Sequence, residues 1–315
     1  MKTYLVGGSV RDRLLGLPPR DTDFLVTGAS EEEMLAKNFV KVGLTFPVFL
    51  DPDNGNEYTL ASSLEEDMQR RDLTINALAL DEKGNVIDLF GGGNDLKKKI
   101  LRHVREENFF SDPLRVLRAC RFRSQLPEFQ LASETFTLMR EVVKTEAYKN
   151  ILSERVIKEL KRVFECPRPS LFFETLVETG GMHIHFPGVK IDSASLDSAT
   201  SEVSRFAVLF TDAELSVLNE WRERLGIQND WYEVARAWIL YQRREDILEF
   251  FYRADAFRKP YLVEEIVKLD PVSGQELNLK FSKVRNVSAK DVPENLVGKE
   301  IADAIREERA RRLNQ

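Results

Sequence analysis

A chain of 315 residues exceeds what one hydrophobic core usually organises, so two or three packed units are expected. With 43% hydrophobic and 31% charged residues it reads as a folded, soluble chain; its two cysteines, Cys120 and Cys166, exclude a disulfide framework and fit a reducing compartment. The net charge of −6 excludes a uniformly basic nucleic-acid binder, no apolar run approaches the roughly 18 residues of a membrane span, and MKTYLVGGSVRD turns polar too early for a signal peptide, so a cytoplasmic location and no membrane partner are expected.

The first hundred residues alternate short strands with helices. Lys2–Val6 reads as a strand, Gly7-Gly8 as a tight turn, and Ser9–Leu15 as a helix with Val10, Leu14 and Leu15 on one side. Asp21–Val26 reads as the next strand. Ser30 and Glu33 form a capping box for a helix to about Asn38, and hairpins turn at Asp53-Asn54-Gly55 and Lys83-Gly84-Asn85. After Gly91-Gly92-Gly93 the period becomes helical, with helices starting near Ser111, Ser133, Ser153 and Pro169, the last stopped by Gly180-Gly181. Residues 187–204 carry the weakest signal for regular structure and suggest a boundary. The basic footprint missing from the whole chain is local: between Lys97 and Arg123, nine Lys or Arg stand against three acids, a stretch able to track phosphates.

The strongest chemical signal is Gly7-Gly8-Ser9-Val10-Arg11-Asp12 followed by Asp21-Thr22-Asp23. Alternate residues of a strand share a face, which sets the two carboxylates about 6–7 Å apart along the backbone. Two such carboxylates repel each other unless they share cations, and their oxygens suit Mg2+, two of which roughly 3.5–4 Å apart assist an in-line phosphoryl displacement. The Gly-Gly turn lets backbone approach a triphosphate at a helix start, and Arg11 adds charge one turn in. Either motif alone is equally well read as an ordinary strand end; their combination across one helix favours the catalytic reading.

LVGGSVRDRLLGLPPRDTDF, RRDLTINALAL and SDPLRVLRACRF, in this order, resemble the signature motifs of class II tRNA nucleotidyltransferases, which build or repair the CCA 3′ end, and of the related bacterial poly(A) polymerases. The resemblance is dense to about residue 175 and thin afterwards. It implies an α+β fold: a polymerase-β-type head with a mixed, largely antiparallel sheet over 1–105, a helical neck reading the base over 106–186, and a helical body and tail binding tRNA over 187–315. It further implies that Asp21 and Asp23 hold Mg2+, that Gly8, Arg11 and Arg71 contact the incoming CTP or ATP, and that Glu57 is a weaker candidate for a third acidic group. Asp112 and Arg115 match the family's base-reading pair. A carboxylate accepts from the exocyclic amine of cytosine or adenine and a guanidinium donates to the neighbouring ring atom, whereas guanine and uracil present the opposite polarity. Arg118 and Arg121 look like the family's triphosphate-binding arginines. The plainer reading of the same helix makes Asp112 a helix-start acid and the arginines a solvated face opposite Leu114, Leu117 and Cys120.

Three features depart from the family pattern. Ser111, expected as an N-cap, stands where an acid usually precedes the base-reading Asp. The stretch from Glu57 to Arg71 is short, with Ser62 where full CCA-adding relatives carry an arginine in a longer flexible loop; such a loss resembles enzymes that add only the two cytidines. No His-Asp pair occurs, so the phosphohydrolase module of some relatives is not expected; His183 and His185 read either as i, i+2 metal ligands or as ordinary half-buried residues. Further along, Trp231, Trp238, Leu240, Phe250, Phe251 and Tyr252 read as helical core, and the basic end Arg306–Arg312 as either an RNA grip or a solvated terminus. CCA addition is the expected activity, with CC addition alone, poly(A) synthesis and a catalytically silent RNA-binding protein as the alternatives.

Overall fold

The computed structural model describes residues 1–19, 22–42 and 47–315. They divide into two compact units, Met1–Ile151 with Leu171–Met182, and Leu152–Ser170 with His183–Gln315. Among the described residues no helix is long and apolar enough to cross a membrane.

The first unit opens with β1 (Lys2–Val6), α1 (Gly8–Leu14), β2 (Asp23–Thr27), α2 (Glu31–Ala36), β3 (Val40–Lys41), β4 (Val48–Leu50) and β5 (Glu57–Ala61). Then come α3 (Leu64–Gln69), β6 (Leu78–Leu80), β7 (Val86–Asp88) and α4 (Gly92–Lys98). The seven strands form one sheet in the order β3-β4-β5-β2-β1-β6-β7, mixed because β2 and β5 run parallel and every other pair antiparallel. Both expected hairpins are present, β4–β5 and β6–β7, and Ser30 with Glu33 forms the expected reciprocal cap on α2.

Leu25 and Val26 are both buried because β2 is central and covered on both sides. Leu25 packs with Val6, Ala79 and Met68 of α3; Val26, on the other face, packs with Phe49 and Met34 of α2. Asp23 shares Leu25's face by the two-residue period, so the carboxylate belongs to the side of the sheet that carries α3.

The helical remainder of this unit places β8 (Ile100–Leu101), α5 (Glu106–Ser111), α6 (Leu114–Gln125), β9 (Gln130–Leu131) and α7 (Ser133–Val142) in succession. The start of α4 is fixed from the backbone outward. The Asp88 carboxylate accepts the Gly92 and Gly93 N–H groups, both at 2.9 Å, and a Cβ on Gly92 would lie 2.2 Å from the Thr74 carbonyl oxygen. Gly92→Ala is therefore expected to cost about 1–3 kcal/mol, read as a lower melting temperature, because the obstacle is backbone and not a side chain that can swing away.

Three sequence expectations are corrected. In α1 the buried residues are Ser9, Val10, Arg11 and Asp12, whereas Leu14 is 45% exposed. The helix lies with polar side chains inward because Arg11 has an internal partner in Asn76. Strand β2 begins at Asp23, with Thr22 outside it, and Asp21 lies outside the described residues. Ser111 caps no helix start: it is the last residue of α5, and its hydroxyl donates to the Asn108 carbonyl. Pro113 explains this, since a residue before proline is driven out of the helical region; Asp112 sits at φ −136°, ψ 85°, and α6 restarts after the proline.

In the second unit the helix Ser153–Phe164 contributes Phe164 to an aromatic core in which Phe206 stacks on Trp231 at 4.7 Å. Trp238, Leu240, Phe250 and Phe251 are buried as expected, and Tyr252 is half-buried. The stretch 187–204 is more regular than expected: Asp192 caps a short helix, Ser193–Ser198, and another starts at Glu202. In the terminal helix Lys299–Leu313, Arg309 lies 3.5 Å over the Phe257 ring and donates to Tyr252 Oη and the Val287 carbonyl. Arg306 pairs with Glu249 and Arg312 with Asp291.

Candidate active site

The site is assembled within the first unit, from the turn after β1 outward. Gly7 adopts φ 74°, ψ −139°, a conformation glycine reaches without strain, and leads into α1. A Cβ there would stand 2.9 Å from Arg71 Nη1, so the bare backbone is what lets the Arg71 guanidinium lie against the turn. Arg71 also pairs with Asp67 of α3 through Nε at 3.1 Å and Nη2 at 2.8 Å. The Asn108 amide of α5 donates to the Gln69 and Arg71 carbonyls at 2.7 and 3.0 Å, anchoring the end of α3. Gly8 follows, with Arg11 Nη2 3.3 Å from where its Cβ would be.

Strand register sets the carboxylates beside this turn. Val6, the residue before Gly7, pairs with Asp23 across β1–β2, and Asp23 pairs with Glu57 across the parallel β2–β5 ladder. Asp23 and Glu57 thus occupy neighbouring positions on one face, Asp23 half-buried and Glu57 exposed. Two hard oxygen donors fit Mg2+ in kind. Among the described residues no group of three or more His, Cys, Asp or Glu could hold a metal ion, which leaves His183 and His185 without a ligand set; Asp21 falls outside that search.

From Arg11 a chain of hydrogen bonds runs to α6. Arg11 Nη1 donates to Asn76 Oδ1 at 2.5 Å, Asn76 Nδ2 donates to Asp72 Oδ1 at 2.9 Å, and Asp72 Oδ2 accepts Arg118 Nε at 2.8 Å and Nη2 at 2.7 Å. The Leu73 N–H adds a fourth bond to Asp72. Burial alone would raise the Asp72 carboxyl, but the Arg118 charge and these hydrogen bonds outweigh it and hold it well below the ordinary carboxylate range. Burial also lowers Arg11, partly offset by its neighbour Asp12 at 2.8 Å, and lowers Arg115, opposed by the charges of Asp72 and Asp112.

A depressed folded-state pKa contributes stability that is complete above the unfolded value and is lost as pH falls through the folded one. Asp72→Asn is therefore expected to lower the unfolding free energy by about 2 kcal/mol at neutral pH, less than for a fully buried pair because Arg118 is a third exposed. Chemical denaturation of both proteins should show that difference constant above about pH 5 and shrinking below about pH 4, where the carboxyl protonates in the unfolded chain.

Helix α6 divides as the sequence suggested: Leu114, Leu117 and Cys120 are buried, while Arg115 and Arg118 are half-buried on the other side. Arg121 is not on a solvated face. It is 7% exposed, lies 4.5 Å from the Phe122 ring centre, and donates to Gln125. Arg11 lies 5.2 Å from the same ring. Asp112 accepts the Arg115 N–H through its carbonyl at 3.0 Å, and the buried Arg115 Nε has no hydrogen-bond acceptor among the described residues. Of the basic stretch before α6, Lys97, Lys98 and Arg105 are exposed, whereas Lys99 pairs with Glu128 and Arg102 with Asp95 and Glu134. Sequence reasoning missed Asp72, Asn76, Asn108 and Phe122. The only signal was Arg71-Asp72 with Asn76 four residues beyond, a spacing at which side chains meet across one turn.

A mixed sheet with a carboxylate beside a glycine turn, linked by hydrogen bonds to an arginine-bearing helix, is the arrangement of a nucleotidyltransferase head. The model of the Poly A polymerase head domain matches residues 3–47 and 45–102, and that described as "Probable RNA and SrmB- binding site of polymerase A" matches 128–192. A CCA-adding enzyme of Coxiella burnetii is 36% identical over 303 residues, covering 85% of this chain and 80% of that protein. One from Pseudomonas putida is 34% identical, covering 99% and 98%, over a compared length of 364 residues. That length exceeds the 315 residues of this chain, so the relative carries segments without a counterpart here. The chain belongs to the CCA-adding enzyme family of tRNA nucleotidyltransferases. Its fold is also that of the Thermotoga maritima CCA-adding enzyme in complex with tRNA, at a TM-score of 0.73 and 24% identity over 99% of this chain and 87% of that one.

Proposed function

We propose that this chain adds CCA to the 3′ end of tRNA from CTP and ATP, by attack of the terminal 3′-hydroxyl on the α-phosphate with release of pyrophosphate. The observation that carries the reading is a register: Val6 opposite Asp23 sets a carboxylate beside the glycine turn where Arg71 lies, and Arg11, Asn76, Asp72 and Arg118 continue from that turn to α6. In this reading Asp21 and Asp23 hold Mg2+, with Glu57 in register beside Asp23. The chemistry Mg2+ supplies at such carboxylates is activation of the attacking hydroxyl and neutralisation of charge on the leaving oxygen. Gly8, Arg11, Arg71, Arg118 and Arg121 grip the triphosphate. Residues 1–105 act as catalytic head, 106–186 as the base-reading neck and 187–315 as the part that holds tRNA. Names of relatives support the substrates: solved CCA-adding enzymes are described in complex with tRNA, ATP and CTP. Incubating a tRNA that lacks CCA with labelled CTP or ATP tests the proposal; no incorporation would leave an RNA-binding protein without catalysis.

Asp112 and Arg115 read the base. The buried Arg115 Nε, without an acceptor among the described residues, is a donor suited to the incoming base, and the half-buried Asp112 supplies the complementary acceptor. Asp112→Ala is expected to raise misincorporation of UTP and GTP by about tenfold or more while slowing cytidine addition less, since the triphosphate grip remains. Unchanged nucleotide preference would reduce Asp112 to a helix-break residue.

A second reading, addition of the two cytidines alone, is favoured by one observation. Between β5 and Arg71 the chain forms the capped helix α3 and holds only Ser62 and Ser63 outside regular structure before it.

A further inference from the structure

The Arg71-Asp72 motif brings a carboxylate into the site that neither binds the proposed metal nor faces solvent. All four acceptor positions of Asp72 are used: two by Arg118, one by Asn76 and one by the Leu73 N–H. The Asn76 amide is thereby fixed in orientation, because its NH2 must face Asp72 and its oxygen must face Arg11. One buried charge thus sets the direction of two arginines from separate elements, α1 and α6, and Arg121 shares the Phe122 ring with Arg11 at the far end.

We propose that Asp72 is a positioning residue for nucleotide binding, holding Arg118 directly and Arg11 through Asn76 in the orientations that grip the triphosphate; the inference rests on the nucleotidyltransferase reading above. A free arginine loses much rotational freedom when it clamps an anion, and a partner that has already ordered it leaves less to lose. An asparagine cannot replace Asp72 in this role. Its single oxygen serves either Arg118 or the Asn76 and Leu73 donors, so its NH2 meets another donor on one side and either Arg118 is released or Asn76 turns over and Arg11 Nη1 loses its acceptor, leaving Arg11 held by Asp12 alone.

Steady-state cytidine transfer, with CTP and tRNA varied in turn, tests this on Asn76→Ala, Asp72→Asn, Arg118→Gln and the double variant Asp72→Asn with Arg118→Gln. The double variant leaves no lone buried charge, which keeps the test open if Asp72→Asn fails to fold. Expected is a rise in the KM for CTP of about tenfold in Asn76→Ala and at least as much in Asp72→Asn, with the KM for tRNA unchanged. In the double variant the KM for CTP should stay within about threefold of Arg118→Gln alone, because with Arg118 neutralised the oxygen of the introduced amide is free to hold Asn76. An unchanged CTP KM in folded Asn76→Ala, or effects of Asp72→Asn and Arg118→Gln that simply multiply, would overturn the proposal and leave Asp72 a structural tie. A wild-type protein that transfers no cytidine overturns the nucleotidyltransferase reading, and the inference with it.

Discussion

Alanine at Asp23 is expected to lower nucleotide transfer by at least about a hundredfold, the scale seen when one preorganised group that stabilises developing charge is removed. The same loss is expected for Asp21→Ala. Asp23 stands at the first position of β2 between Val6 and Glu57, so truncation deletes the carboxylate that lies closest in register to the glycine turn. Little else should change. Asp23 is half-buried at a strand end, and the core beneath it rests on Leu25 and Val26. Binding of tRNA to the variant, measured by filter retention, should remain near wild type, because removing acidic charge does not weaken a phosphate-binding surface. Transfer within about tenfold of wild type would remove Asp23 from the reaction, since a site missing a metal ligand cannot keep that much of its rate.

How far this could be read from the sequence depended on whether the deciding interaction was local. The hairpins at Asp53-Asn54-Gly55 and Lys83-Gly84-Asn85 and the Ser30–Glu33 cap are written in neighbouring residues, and all three are present. Ser111 was misjudged although its deciding residue was also local: Pro113 breaks the helix between Ser111 and Leu114, and a serine before a basic helix reads as a cap only if that proline is discounted. The buried side of α1 was illegible for a different reason. Arg11 faces inward only because Asn76, 65 residues away, receives it, and no periodicity in α1 can report that. Asp72 was hidden likewise, since its partner Arg118 is 46 residues distant. The motif spacing pointed to the candidate site, whereas the polar links that join its parts are long-range and appear only once the sheet and α6 are in place.

The segment from Glu57 to Arg71 yields the other large effect, on which the second reading departs from full CCA addition: on a tRNA lacking CCA, with CTP and ATP together at millimolar concentration, that reading expects addition to slow sharply after the second cytidine, leaving tRNA-CC as the main product. A single site that first selects CTP and then ATP must reposition its base-reading residues between the two, and such a motion needs slack between rigid elements. Here the slack is taken up. Strand β5 runs to Ala61, Ser62 donates to Glu66, and the Ser63 hydroxyl accepts the Glu66 N–H at 3.1 Å to start α3. At its other end α3 is tied by the Arg71–Asp67 pair and by the two bonds from Asn108 of α5. The segment that precedes Arg71 is therefore a clamped helix, joined to the strand by two residues, in a chain shorter than its 364-residue comparison with the Pseudomonas putida relative. A competing argument is that Ser62 and Ser63 suffice as a hinge. Their hydroxyls are both engaged, which opposes it, but each bond is exposed and individually weak. A time course resolved by product length decides between them. Accumulation of tRNA-CC with slow or absent adenosine addition fits a site without a lever, whereas rapid passage to the full CCA end would show that α3 does not limit the switch, leaving the proposed roles of Asp21 and Asp23 in cytidine addition untouched.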